Sequence, residues 1–489
     1  MTKSKRLLVF ITSFSVGIAI SDLFLIPWIV TYCLIITTIL LYTFYRFQKY
    51  IRILCVILIG ITVGFIRMGV IHEKEDRVAF IGNYLSNTHE ILGEIIKEPD
   101  LRDTHQKLTI GNIMIENINI SGRVLILDNL ETEFMYKDKI EVACNLEKPE
   151  PYESFRYDKY LERFKIYAIC PFPKNIKKTE SKSLGKSVLS VKKNFIQNIN
   201  DTLPEPHASL AIGILLGERR GISEKLELTF RSVGITHILA LSGFNISIII
   251  AALLFIGRGV GIPRTFMFWG ILLCLIVFVF ITGASPSITR AAVMGVVVLL
   301  AYEIGRNTHS ENILLLAAFF MVMVSPRILL WDIGFQLSFM ATLGLLVYMP
   351  LIFRFSFFIP NKLFARETFS ATISAIIFTL PLSMYYFGGV SLTALPINIL
   401  IIPLIPFAML FSFIAGVFGS IGVITYIFSV PAWLIISAVI AIARFGELIP
   451  QGYLSFETFS LLGSILLYGI IFSSIKILKK KKYDTIRVK

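Results

Sequence analysis

Long apolar runs alternate with short basic loops over most of this chain, and one polar stretch of about 130 residues interrupts them near the start. Apolar runs at 7–20, 23–45 and 51–70 predict three membrane helices. Between 73 and 202 the character changes, and the segment is too hydrophilic to span. In "DKIEVACNLE", Ile140, Val142, Cys144 and Leu146 alternate with polar neighbours, the period of a half-buried strand. "HEILGEIIKEP", "QKLTIGNIMI" and "GRVLILD" are further strand candidates, separated by Gly, Asn and Asp turns. Several short strands in so few residues predict a small closed β-barrel outside the membrane. A five-stranded OB barrel fits the length, and the pattern also accommodates a small sandwich.

The next stretch, "HASLAIGILLGERRGISEKLELTFRSVG", has an apolar piece at 208–216, far short of the ~20 residues a spanning helix needs. Ile222, Leu226 and Phe230 recur at i, i+4 and i+8 on a charged background, an amphipathic helix suited to the membrane interface. A re-entrant or interfacial hairpin turning at 218–221 is expected. Nine apolar segments follow, at 235–256, 265–282, 287–304, 311–324, 333–352, 368–386, 393–418, 421–443 and 459–478. The segment 311–324 is short for a crossing unless tilted or packed among neighbours. The expectation is a polytopic α-helical membrane protein of about 12 membrane segments with a small extracellular, OB-like β-barrel. Its divisions are N-terminal transmembrane helices at 1–72, the β domain at 73–180, amphipathic or interfacial linker helices at 181–234, and a transmembrane domain at 235–489.

Charge sets the expected orientation. Lys3, Lys5 and Arg6 open the chain, Arg46, Lys49 and Arg52 fill the loop before the third helix, and the tail reads "KILKKKKYDTIRVK". Basic residues favour the cytoplasmic side, so both termini are expected inside and 73–202 outside, in a multi-pass protein of the cell's inner (cytoplasmic) membrane. The basic, apolar N-terminus lacks an A-x-A cleavage pattern and leads straight into further apolar runs, so it reads as an uncleaved first helix. Of the 489 residues, 55% are hydrophobic, 16% are charged and 40 are phenylalanine, more apolar surface than a soluble domain hides. The net charge of +14 needs no anionic ligand, because positive-inside loops account for much of it.

Polar atoms inside apolar segments are the candidate chemistry. "THILALSGFNISIIIAALLF" carries His237, Ser242, Gly243, Asn245 and Ser247. On an ideal helix His237, Ser242 and Asn245 share an arc of about 140°. A common polar face fits a wet cavity or an interhelical hydrogen-bond seam equally well, with Gly243 permitting close approach. Pro286 and Arg290 interrupt "ITGASPSITRAAVMGVVVLLAYE". A guanidinium at depth is costly unless it is paired or wet, or it snorkels to the headgroups. "GFQLSF" adds Gln336 and Ser338, and "LPINILIIPLIP" sets Asn398 between Pro396 and Pro403, as in pathway-lining or merely kinked helices.

Catalysis finds little support. "GASPS" has Pro286 where a G-x-S-G nucleophile motif needs glycine. His309, the histidine that follows it, falls on the expected cytoplasmic side, so Ser285 lacks a base. No HExxH, P-loop or H-x-H-x-D pattern occurs, and the five cysteines form no CxxC or CxxH. The expectation is a non-enzyme with no metal and no cofactor.

These stretches together resemble the ComEC family of competence proteins. "LLGERRGISEKLELTFRSVGITHILALSGFNISIII" is similar to the family signature, although Asn245 stands where many members have histidine. "TGASPSITRAAVM", "WDIGFQLSFMATLGLL" and "YYFGGVSLTALPINILIIPL" resemble later family blocks in the same order. "FRYDKYLERFKIYA" resembles the end of the family's extracellular OB domain, which often bears a disulfide. Cys144 and Cys170 lie in that region, whereas Cys33, Cys55 and Cys274 fall in membrane segments. An oxidising exterior permits a bridge, and two core cysteines are the other reading. Seven residues follow Lys482, so the expectation is a short form without the family's C-terminal metallo-β-lactamase-like domain.

The resemblance implies an inner-membrane channel carrying single-stranded DNA into the cytoplasm during natural transformation. Its lining would include Arg219, Arg220, Arg231, His237, Ser242, Asn245, Arg290, Gln336 and Asn398. Phe230 and Phe244 offer faces for base stacking, against a stronger reading of each as core. The implied partners are single-stranded DNA, membrane lipids, a separate DNA receptor, a nuclease and a cytoplasmic DNA-translocating ATPase. The alternative is a secondary transporter for a small solute, weighed down by few membrane carboxylates: Glu303 and Asp332 sit near segment ends. An intramembrane enzyme ranks third.

Overall fold

A computed structural model describes residues 3–45, 48–75, 80–101, 104–130, 132, 134–151, 156–173, 176–179, 184–218, 220–239, 243–284, 286–303, 310–359, 365–419, 423–450, 452–455 and 459–487. The chain divides into two compact units, one of 1–187 with 312–335 and one of 188–311 with 336–489. The protein is mostly helical, with a mixed sheet in its N-terminal half.

In the first unit, α1 (Lys3–Leu23), α2 (Trp28–Tyr45) and α3 (Lys49–Glu75) form the N-terminal helices. Helices α1 and α3 run parallel at very close range, because small residues face one another. A Cβ added to Gly60 would lie 2.7 Å from the Ser13 Cβ, and one on Gly17 would lie 2.5 Å from the Ile61 carbonyl oxygen. Gly64 completes a G-x-x-x-G pair facing Ser13 and Gly17, the small-residue seam by which apolar helices gain dispersion contact in lipid.

The polar region folds into β1 (Thr88–Ile95), β2 (Asp100–Leu101), β3 (Gln106–Ile115), β4 (Ile118–Ile120), β5 (Arg123–Asp128), β6 (Lys139–Asn145), α4 (Tyr157–Glu162), β7 (Ile166–Pro171) and β8 (Ile176–Thr179). The four strand candidates read from the sequence fall on β1, β3, β5 and β6. Alternation holds on β6, where Ile140, Val142 and Cys144 are buried and Lys139, Ala143 and Asn145 are exposed. The sheet order is β7-β5-β3-β1-β6-β8, with β2 and β4 paired to β3, and β5–β7 is the parallel pair in an otherwise antiparallel sheet. The ladder does not close between β7 and β8. Among the described residues a single bridged pair, Glu147 with Ile169, links the chain after β6 to β7 through backbone hydrogen bonds of 2.9 and 2.8 Å. Beside it Cys144 and Cys170 form a disulfide. Both belong to one buried core cluster with Ile91, Leu108, Val142 and Ala168, so the two cysteines are both bridged and core.

The second unit contains α5 (Leu184–Thr202), α6 (His207–Leu216), α7 (Glu224–Ser232), α8 (Thr236–Leu239), α9 (Gly243–Gly259), α10 (Arg264–Ile281) and α11 (Pro286–Glu303), then the helical segments from Ile333 onward. Helix α6 is apolar all round, and every residue from Ala208 to Leu216 is buried, as a helix with no polar face must be. It ends at Gly217, whose φ of 76° supplies the left-handed turn. Gly221, at φ 81°, packs where a Cβ would meet Ser209 Oγ. The Ser223 hydroxyl then caps α7 by accepting from the Leu226 amide at 3.3 Å. The expected amphipathic stripe is present: Ile222, Leu226 and Phe230 are buried in one core with α6.

Among the described residues seven helices are long and apolar enough to cross a membrane, and the pair Ile333–Val347 and Met349–Phe355, bent by 48°, makes an eighth if taken as one span. The other expected segments coincide with shorter apolar helices, Asn245–Gly259, Ser287–Leu300, Ser310–Val324 and Leu461–Ile475. These helices make the chain a membrane protein.

Candidate functional site

Helix α11 starts at Pro286, a residue suited to the first helical turn because it has no amide to leave unpaired. One turn on, Arg290 is 4% exposed. Its Nη2 lies 3.4 Å from Ser287 Oγ, and its guanidinium carbon stands 5.5 Å from the centre of the Phe339 ring. Nη1 has no hydrogen-bond partner and no carboxylate pairs with this side chain among the described residues. The start of α9 lies against it: a Cβ on Gly243 would sit 3.6 Å from the Ala291 Cβ and 3.9 Å from Arg290 Nη2. The first amides of a helix have no partner within the helix, so among the described residues this corner gathers donors and positive potential with Ser287 Oγ as the acceptor for Nη2 and none for Nη1. An acceptor-rich anion is the species such a corner can hold.

Asn245, in the first turn of α9, is 4% exposed and donates from Nδ2 to the Ile214 carbonyl at 3.0 Å. That carbonyl lies in the last turn of α6, where backbone acceptors run out of amides, so Asn245 fastens α9 to α6. His237 is exposed on α8, an environment unlike that of Asn245. Arg220 lies exposed in the turn after α6, and Arg231 is exposed on α7. Gln336 accepts a hydrogen bond from the Tyr386 hydroxyl at 3.0 Å. Asn398 is 3% exposed on the helix Ala394–Ile401, and its Oδ1 has no partner among the described residues. A three-residue 3-10 turn containing Pro403 separates that helix from Ile405–Phe418. Arg219, Ser242, Ser285 and His309 lie outside the described residues, as does the side chain of Phe244. Phe230 is core. The structure thus brings Arg290 and Gly243 together, with Asn245 two residues along α9 bonded to α6.

A second polar centre escaped the sequence reading. In the first unit Arg327, on the loop before the short helix Ile328–Trp331, sends Nη1 and Nη2 to the two Glu75 oxygens at 2.6 and 2.9 Å. Its Nε lies 3.3 Å from Glu162 and 3.6 Å from Asp22. Tyr167 donates to Glu75 at 2.7 Å, and burial together with that carboxylate raises the phenol above its ordinary range, which keeps the proton on the donor. Trp331 Nε1 donates to Asp22, and Arg163 pairs with Asp332. The cluster joins α1, α3, α4 and β7 within that unit. Its signal in the sequence was a set of charges at the ends of apolar runs, such as "ISDLF" and "SPRILLWD".

A family model described as Competence protein matches residues 214–481, more than half of the chain. The chain belongs to the Competence protein family. The match contains α9, α11, every candidate lining residue named above and Arg327, and it leaves the β domain and Glu75 outside. Among curated proteins the chain is similar to ComE operon protein 3 of Bacillus subtilis (strain 168), 29% identical over 288 residues, 57% of this chain and 35% of that one. It is also similar to the uncharacterized protein YcaI of Escherichia coli (strain K12), 24% identical over 233 residues, 45% of this chain and 30% of that one. The chain therefore matches about a third of the length of these relatives. No solved structure matches it.

Proposed function

We propose that this competence protein carries single-stranded DNA across the inner (cytoplasmic) membrane into the cell. The observation that supports this reading most is Arg290, buried in an apolar helix beside the start of α9, with an Nη1 that has no partner among the described residues. A strand brings ~1 negative charge per nucleotide, and a translocation path must offset that charge without holding it. A guanidinium with no carboxylate partner among the described residues meets both needs: each phosphate takes up the free donor and passes on. Gly243 keeps the corner open, since any side chain there would fill the space in front of the guanidinium. Asn245 positions α9, and Arg220 in its turn and Arg231 on α7 supply exposed positive charge.

In this reading twelve segments cross the membrane, the β domain is OB-like and external, and both termini are cytoplasmic. The protein acts as a conduit rather than an enzyme, with no metal or cofactor. A surface DNA receptor, a nuclease that delivers one strand, and a cytoplasmic ATPase that pulls on it are separate proteins. The test is a deletion strain given fluorescent DNA, with surface-bound and cytosolic label counted separately. Loss of cytosolic label alone, restored by the gene on a plasmid, supports the reading; unchanged cytosolic label removes it.

A further inference from the structure

A cleft of about 210 Å³ opens between the first turns of α1 and α3, lined by Arg6, Val9, Lys49, Arg52, Ile53 and Val56. We propose that it is a seat for the headgroup of an anionic phospholipid. The cleft exists because α1 and α3 run parallel along the small-residue seam of Ser13, Gly17, Gly60 and Gly64, which brings both helix starts to the same end. Three cations from two helices therefore share one opening. Arg6, Lys49 and Arg52 are exposed and in no ion pair among the described residues, and no acidic residue occurs in 1–21 or 23–72 to neutralise them. Both helix starts add positive potential to the same place.

The other half of the lining selects a lipid over a free anion. Val9, Ile53 and Val56 form an apolar floor, and their neighbours Leu8 and Leu54 are 45% and 43% exposed on helices that qualify as membrane spans. The apolar surface thus continues from the cleft along the lipid-facing sides of both helices. A phosphodiester in the opening leaves its acyl chains on that surface, whereas inorganic phosphate gains nothing from it. The volume suits a glycerophosphate headgroup and excludes a folded partner. The site lies outside the family match and stands apart from the DNA reading.

The test uses the full-length chain purified in detergent and titrated with phosphatidylglycerol, phosphatidylcholine or inorganic phosphate. Bound lipid is counted by native mass spectrometry, and stability is followed by thermal melting. Phosphatidylglycerol is expected to be retained and to raise the melting temperature, with phosphatidylcholine and phosphate without effect. A triple variant, Arg6→Gln/Lys49→Gln/Arg52→Gln, is expected to lose about tenfold or more in phosphatidylglycerol affinity. A control, Arg258→Gln/Arg264→Gln, is expected to keep it. Should the triple variant be poorly produced, Arg52→Gln alone is expected to lose about threefold or more. Equal binding by the variants and the wild type overturns the proposal. So does an equal rise in melting temperature with inorganic phosphate, which would mark a free-anion seat.

Discussion

Replacing Arg327 by Met keeps the length of the side chain and removes the cation that three carboxylates share. The wild-type guanidinium makes a bidentate pair with Glu75 at 2.6 and 2.9 Å and approaches Glu162 at 3.3 Å and Asp22 at 3.6 Å. The side chain of Arg327 is 5% exposed, that of Asp22 3%, Glu162 16% and Glu75 19%, so water screens these charges poorly. Each pair is attracted by about 4 kcal/mol at an effective dielectric near 20, and most of that gain offsets desolvation. Removing one partner leaves the desolvation unopposed and brings three like charges together, which costs about 3–5 kcal/mol. For a unit of this size that is a fall in melting temperature on the order of 10 °C. The assay is thermal melting of the detergent-purified chain followed by tryptophan fluorescence, with Trp331 reporting from its bond to Asp22. A second variant, Glu75→Gln in the Arg327→Met background, should recover part of the loss, because it deletes one uncompensated charge. Unchanged melting in Arg327→Met, or additive losses in the double variant, would refute the reasoning.

Three further outcomes are expected. Gly60→Leu places a side chain where even a Cβ lies 2.7 Å from Ser13, so α1 and α3 must part at a cost of about 1–3 kcal/mol; wild-type protease resistance would contradict it. Cys144→Ser/Cys170→Ser opens a loop of 26 residues and should destabilise the β domain by about 3 kcal/mol, as should reduction of the wild type; melting that ignores reductant would contradict it. Burial and the nearby Arg123 and Arg163 push the Lys97 ammonium down to about 8, and the Phe164 ring at 3.7 Å only partly offsets this. The folded value lies below the unfolded one, so stability should rise by about 2–3 kcal/mol as pH climbs from 8 towards 10.5, and Lys97→Met should abolish that rise; a flat wild-type profile would contradict it.

The legible parts of the fold were those with local periodicity. The alternation of Ile140, Val142 and Cys144 marks β6 because one face of a strand is buried, and Leu226 and Phe230, with Ile222 just before the helix, mark the buried side of α7 for the same reason. The apolar piece at 208–216 is too short to span, and its apolar surface on every side accounts for its burial in the core. Periodicity is silent about partners far apart in the chain. Glu75 and Arg327 are 252 residues apart, and each alone reads as a charge ending an apolar run. Asn245 behaves likewise: its residue type promised a hydrogen bond, but only the packing of α9 on α6 makes the Ile214 carbonyl the acceptor. Arg290 stood out because a charge inside an apolar segment needs no partner in the sequence to be conspicuous.

Arg290 also offers the most direct test of DNA passage. Arg290→Gln removes the charge, while Arg290→Lys keeps it and loses the planar fork. Both are compared with wild type for membrane abundance, surface-bound DNA and cytosolic entry of labelled DNA in a deletion strain. The expected result is a Gln variant present at normal abundance and binding DNA normally at the surface, with entry reduced about tenfold or more, and a Lys variant with partial entry. Wild-type entry by the Gln variant, or its disappearance from the membrane, would contradict a pathway role and leave Arg290 as an anchor or a structural residue.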